Sequence, residues 1–103
     1  MNNIQEKVNE LIRKYNLESS LEIRYIDLIS ELGELGKEIL NGNDYGKSDF
    51  HNTENIESEL GDTFFSLICV ANALNIDLQE ALENVLNKYE NRFSDHGDIG
   101  SGK

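Results

Sequence analysis

Apolar side chains recur along this chain at helical spacing, and no stretch alternates with the two-residue period of a strand. Ile4, Val8, Leu11, Ile12 and Tyr15 share one face of a first helix over about 3–15, with Asn16 as its stop. Ser19-x-x-Glu22 reads as a capping box opening a second helix that runs to Leu40, where Asn41-Gly42 ends it. After a polar loop, a third helix starts near Asn52 or Thr53 and continues to about Leu74. A break at Asn75-Ile76 leads to Asp77-x-x-Glu80, a second capping signal, and to a fourth helix carrying Leu78, Leu82, Val85, Leu86, Tyr89 and Phe93. The pattern predicts an all-α chain, a four-helix bundle over residues 1–94, followed by a flexible tail at 95–103 that is rich in glycine.

The second and third helices depart from ordinary amphipathicity. At 100° per residue, Asp27, Glu31, Glu34 and Glu38 fall within about 60° of one another. Leu28, Leu32, Leu35 and Ile39 lie directly beside them, and Ile26, Ile29, Gly33 and Leu40 lie behind. In the third helix Asn55, Glu59, Asp62 and Ser66 share an equally narrow sector, amid Ile56, Leu60, Phe64, Leu67, Ile68 and Ala71. A surface helix sets its charges opposite its apolar stripe. Here apolar residues flank the acids widely, so each helix is expected to be buried on most sides with its carboxylates facing a shared cleft. Gly33 and Gly61 lie on the far side of their helices from the acids. A glycine inside a helix costs about 1 kcal/mol relative to alanine, and close helix approach at their backs would account for it.

Charge sharpens this reading. The 103 residues carry 20 acidic and 9 basic side chains, a formal net charge of −11. Such a chain does not hold nucleic-acid backbones or anionic membranes by bulk electrostatics. Between Lys47 and Lys88 there is no Lys or Arg, while Asp49, Glu54, Glu57, Glu59, Asp62, Asp77, Glu80 and Glu83 all fall there. The single cysteine, Cys69, lies in an apolar run as a structural thiol and suits a reducing cytoplasm. Neither a signal peptide nor a membrane span is expected.

Ser30-Glu31-Leu32-Gly33-Glu34 and Ser58-Glu59-Leu60-Gly61-Asp62 are nearly the same pentapeptide. One such pair is ordinary solvated surface. Two on neighbouring helices gather four carboxylates in a partly apolar setting, which must take up protons or bind hard cations. A donor set of oxygens alone favours Mg²⁺, Mn²⁺ or Ca²⁺ over Zn²⁺. No EF-hand loop is present, and His51 and His96 are read as surface residues, not as di-iron ligands. Lys88 and Arg92 stand one turn apart on the fourth helix, with Asn84 a turn earlier. They can serve the helix C-terminus or clamp phosphates beside a metal site.

These residues resemble the MazG-like nucleoside triphosphate pyrophosphohydrolases of the all-α NTP pyrophosphatase superfamily. That family is marked by E-x-x-E, a spacer, then E-x-x-D. Glu31-x-x-Glu34 and Glu59-x-x-Asp62 match it, as do their Leu-Gly contexts, the stretch from Leu74 to Ala81 and the later Lys88-x-x-x-Arg92. The resemblance covers about residues 20–93. It implies Mg²⁺-dependent cleavage of an NTP or dNTP between the α and β phosphates, with Mn²⁺ as the alternative metal. Glu31, Glu34, Glu59 and Asp62 would hold metal, Lys88 and Arg92 would bind phosphate, and Asn84 would contact substrate. Glu38, on the acidic face one turn on, is a candidate proton acceptor. The family's oligomeric habit implies a homodimer or homotetramer that completes the bundle, with each site helped by a neighbouring subunit. Asn55 stands where family members often carry a basic residue. The competing readings are a non-catalytic helical module that kept the fold, a simple divalent-ion binder, and a hydrolase of phosphoribosyl-ATP.

Overall fold

The structure, a computed structural model, describes residues 1–96 and holds four helices with no strand among them: α1 (Asn3–Lys14), α2 (Leu21–Gly42), α3 (Ile56–Ala73) and α4 (Leu78–His96). The chain is all-α, as its periodicity predicts. α4 runs two residues past the expected boundary at 94, and the remainder of the expected tail, 97–103, lies outside the described residues.

Short polar side chains start three of the helices. Asn2 Oδ1 accepts from the Gln5 N–H at 3.0 Å, Ser20 Oγ from Ile23 at 3.2 Å and Asp77 Oδ1 from Glu80 at 3.0 Å. The cap of α2 is therefore Ser20 and not Ser19, and no capping box forms, because the residue three places on is Ile23. The Glu80 N–H, helped by the Asn2 amide, holds the Asp77 carboxyl below the usual carboxylate range against partial burial, which pushes it up. α3 starts at Ile56 with no side-chain cap, later than the sequence suggests. Thr53, the expected start, spends its hydroxyl elsewhere, donating it to Glu38 Oε2.

Asn16 and Asn75 both take the left-handed conformation, at φ 56°. In each case the following N–H reaches back five residues, Leu17 to the Ile12 carbonyl and Ile76 to the Ala71 carbonyl, both at 2.9 Å. That is the Schellman ending. α2 ends the same way at Asp44, φ 51°, with Tyr45 N–H on the Leu40 carbonyl at 2.7 Å. Gly42 is thus not the left-handed stop. It is a buried helical residue crossed by the returning loop, whose His51 N–H donates to the Gly42 carbonyl at 2.9 Å.

α2 and α3 pack closely along each other, α1 packs on α3, and α4 is not closely packed on any of the three. The core lies in the second half of α3, where Ile68 (2% exposed), Cys69 and Ala71 are buried. Burial pushes the Cys69 thiol up, with Arg24 opposing and Asp27 adding to the effect. The radius of gyration is 17.1 Å, against about 13 Å for a compact chain of this length.

The expected burial of α2 and α3 on most sides is not met within one chain. Ile26, at 62% exposed, together with Ile29, Leu40, Leu60 and Phe64, faces outward, as do Leu82, Leu86 and Phe93 of α4. Nor does any helix approach the back of the motif glycines. A Cβ built on Gly33 or Gly61 meets nothing within 4 Å. Helical wheels report which residues share a side but not whether a neighbour from the same chain covers it.

A candidate metal centre between α2 and α3

The acidic faces of α2 and α3 meet. Carboxylate oxygens of Glu31, Glu59 and Asp62 lie within 4.8 Å of one another. Antiparallel packing of the two helices sets the first motif across from the second. Thr63 fastens the crossing, its hydroxyl donating to the Glu59 carbonyl at 2.9 Å and lying 3.4 Å from the Glu31 carbonyl on the other helix. Glu31 and Glu59 are half-buried and Asp62 is exposed, so the cluster opens to solvent on one side.

Glu59 is the most perturbed of these acids. Partial burial raises its carboxyl above the usual range, and the charges of Asp62, Glu34, Glu31 and Glu38 raise it further. All four expected ligands and Glu38 therefore share one electrostatic field, although Glu34 is not among the three whose oxygens converge. Three converging oxygen donors, one with a raised proton affinity, fit a hard divalent cation. The proton and the cation compete for Glu59. Because folding raises its pKa, the folded chain holds the Glu59 proton more tightly than the unfolded chain, so this contribution to stability is full below the ordinary carboxylate value and is lost as pH rises through the raised one. In calorimetric titrations, Mn²⁺ affinity is expected to fall as pH drops through this range, starting above the usual carboxylate range. Over the same range the metal-free protein should gain thermal stability relative to Glu59→Gln. A Glu59→Gln protein with the wild-type pH profile for both would disprove the coupling.

Glu38 is held from two sides. Thr53 Oγ1 donates to its Oε2, and Asn41 Nδ2 donates to its Oε1 at 3.4 Å. Neither partner stands out in the sequence, since Thr53 lies outside the helices and Asn41 reads as a helix end. Thr63, directly after Asp62, carried a weak signal: a mid-helix threonine commonly bonds the carbonyl four residues back.

The basic side of the expected site stands on α4. Lys88 holds its ammonium 5.1 Å from the centre of the Tyr89 ring, and Arg92 is half-buried. Asn84 lines a recess at the α3–α4 corner with Asn75, Asp77 and Glu80. Among the described residues no helix is long and apolar enough to cross a membrane.

Comparison with known proteins bears on the family and the fold. Residues 2–96 match the sequence profile of the MazG nucleotide pyrophosphohydrolase domain. YpjD of Bacillus subtilis (strain 168) is 41% identical over 71 residues, a match covering 66% of this chain and 62% of that protein, under two thirds of its length. Among solved structures, the Bacillus-conserved MazG protein, a nucleotide pyrophosphohydrolase, superposes with a TM-score of 0.71 at 36% identity over 84% of this chain and 85% of its own. The crystal structure of B. subtilis YpjD superposes with a TM-score of 0.73 at 34% identity, over 89% and 94% of the two chains.

Proposed function

Because the chain belongs to the MazG nucleotide pyrophosphohydrolase family, we propose that it hydrolyses a nucleoside or deoxynucleoside triphosphate between the α and β phosphates, giving the monophosphate and pyrophosphate. The observation that carries this reading is the convergence of Glu31, Glu59 and Asp62 from two helices into a site of oxygen donors alone. A metal bound there, Mg²⁺ or Mn²⁺, would neutralise the triphosphate and make water at the site more acidic.

The remaining roles belong to the protein. Glu31, Glu59 and Asp62 hold the cation, and Glu34 supplies a fourth carboxylate from the same face of α2. Glu38, oriented by Thr53 and Asn41, takes the proton of the attacking water. Lys88 and Arg92 bind phosphate oxygens, and Asn84 contacts the substrate. Asn55, which makes no capping bond at the start of α3, leaves that end of the site without the cation often found in the family. The uncovered apolar faces of α2, α3 and α4 support a homodimer or homotetramer, and the lone free thiol of Cys69 suits the cytoplasm.

The test is pyrophosphate release from a panel of NTPs and dNTPs, with phosphoribosyl-ATP included, in Mg²⁺ and in chelator. The expected result is metal-dependent release from at least one nucleoside triphosphate, with the monophosphate as co-product. Turnover of phosphoribosyl-ATP alone would replace the substrate. Absence of turnover with every compound would leave a non-catalytic helical module.

A further inference from the structure

Gln5 is 1% exposed, the most enclosed polar side chain among the described residues, yet it stands in the first turn of a surface helix. Its amide is used completely. Nε2 donates to the Ile76 carbonyl at 2.8 Å and to Asn72 Oδ1 at 3.0 Å. Oε1 accepts from the Leu78 N–H at 2.7 Å and from the Asn2 amide. Both donors and both acceptor sites are therefore filled. The partners are the last turn of α3, the corner, and the first residue of α4. Asn72 answers by donating to the Gln5 carbonyl at 3.1 Å and to Asn9 Oδ1 at 2.9 Å, and Asn2 Nδ2 reaches Asp77 Oδ1 at 3.4 Å. One end of α1 thus grips both sides of the α3–α4 corner.

Beyond that corner α4 is not closely packed against the other helices, and its outer residues Leu82, Leu86 and Phe93 are exposed. A small change of angle at Leu78 is therefore magnified along the helix. Lys88 and Arg92 lie about 15 and 21 Å along α4 from Leu78 at 1.5 Å per residue, so a tilt of about 10° moves them by roughly 3 and 4 Å. Hydrogen bonds to a phosphate tolerate far less. The carboxylate cluster stands on the α2–α3 pair and has no member on α1 or α4.

We propose that Gln5 is a positioning residue for the phosphate-binding side of the site: its amide sets the direction in which α4 leaves α3, and so where Lys88 and Arg92 stand relative to the carboxylates of α2 and α3. The catalytic part of this inference rests on the function proposed above; the control of α4 direction does not. The metal side and the phosphate side of one site are then adjusted by different contacts, the first by Thr63 and the second by Gln5.

Two readouts test it in the near-isosteric Gln5→Met variant. The first is kinetic. KM for the nucleotide is expected to rise about tenfold or more while kcat and Mn²⁺ affinity stay within about twofold, as loss of phosphate contacts made equally in the ground and transition states requires. A merely structural role would lower thermal stability and the active fraction while leaving KM unchanged, and that result would overturn the proposal. The second readout needs no turnover. Spin labels at Lys37→Cys on α2 and Glu90→Cys on α4, in a Cys69→Ala background and diluted with unlabelled protein, report the distance between the two helices. Gln5→Met should shift or broaden that distance by several ångströms, and an unchanged distribution sinks the idea. Should Gln5→Met fail to fold, Asn2→Ala removes one partner of the Gln5 amide from a half-exposed position and should shift KM and distance in the same direction. If the wild-type protein hydrolyses no nucleotide, the catalytic reading fails, and the distance measurement alone decides whether Gln5 directs α4.

Discussion

Asp62→Asn is expected to lower metal-dependent pyrophosphate release by a factor on the order of 10²–10³ while leaving the helices intact. The substitution keeps the shape of the side chain and removes its charge. Asp62 is one of three acids whose oxygens converge between α2 and α3, and charge stabilisation by a held cation supplies several powers of ten in this kind of chemistry. The fold has no need of that charge. Asp62 is exposed, and its charge raises the proton affinity of Glu59 beside it. Removing it relieves a repulsion, so the metal-free variant should melt no lower than wild type. Loss of turnover and Mn²⁺ binding with an unchanged circular dichroism spectrum is the expected combination. Wild-type turnover in Asp62→Asn would remove the carboxylate cluster from the reaction.

The second large effect is on stability, and its sign depends on position. Gly42→Ala is expected to destabilise the protein by about 1–2 kcal/mol, a fall of several degrees in melting temperature for a chain of this size. Alanine in a helix gains up to about 1 kcal/mol over glycine, but overpacking costs about 1–3 kcal/mol. At Gly42 the added Cβ would stand 2.7 Å from the His51 carbonyl oxygen and also press on the Phe50 ring. The ring can turn aside, whereas the carbonyl belongs to backbone held to Gly42 by the His51 N–H bond, so the clash wins. Gly33→Ala and Gly61→Ala meet open space and should each stabilise the chain by about 0.5–1 kcal/mol. Thermal melts of the three variants compare them directly. A stabilising Gly42→Ala would mean that the 50–51 segment moves away freely. Destabilisation at Gly33 or Gly61, accompanied by a smaller assembly in sedimentation, would show that a second copy covers those faces.

The four helices were legible because their signals are local. Ile4 to Tyr15 repeat at helical spacing, Asn16 and Asn75 adopt the left-handed turn their side chains favour, and Asp77 caps α4. Boundaries failed where one side chain had two uses. Thr53 could have capped α3 but bonds Glu38, and Ser20 took the cap expected of Ser19. Nothing in the helical pattern singled out Gln5. The clue to its burial was that it shares a side with Val8, Asn9 and Ile12, but, Asn2 apart, the partners of its amide lie 67 and more residues away.

The candidate site divides in the same way. Two acidic pairs, each on one side of a helix with apolar flanks, follow from composition and a repeat of 3.6 residues, and by themselves they point to a hard cation. Which acids converge is set by the crossing of α2 and α3. There the α2–α3 packing, with Thr63 at the crossing, joins Glu31, Glu59 and Asp62, while Glu34 stays outside that trio but within reach of Glu59 electrostatically. Helical periodicity is a property of neighbours three or four residues apart. The offset between two helices, the reach of Gln5 into a distant corner and the pressure of residues 50–51 on Gly42 depend on contacts across the whole fold, so they exist only once the chain has packed.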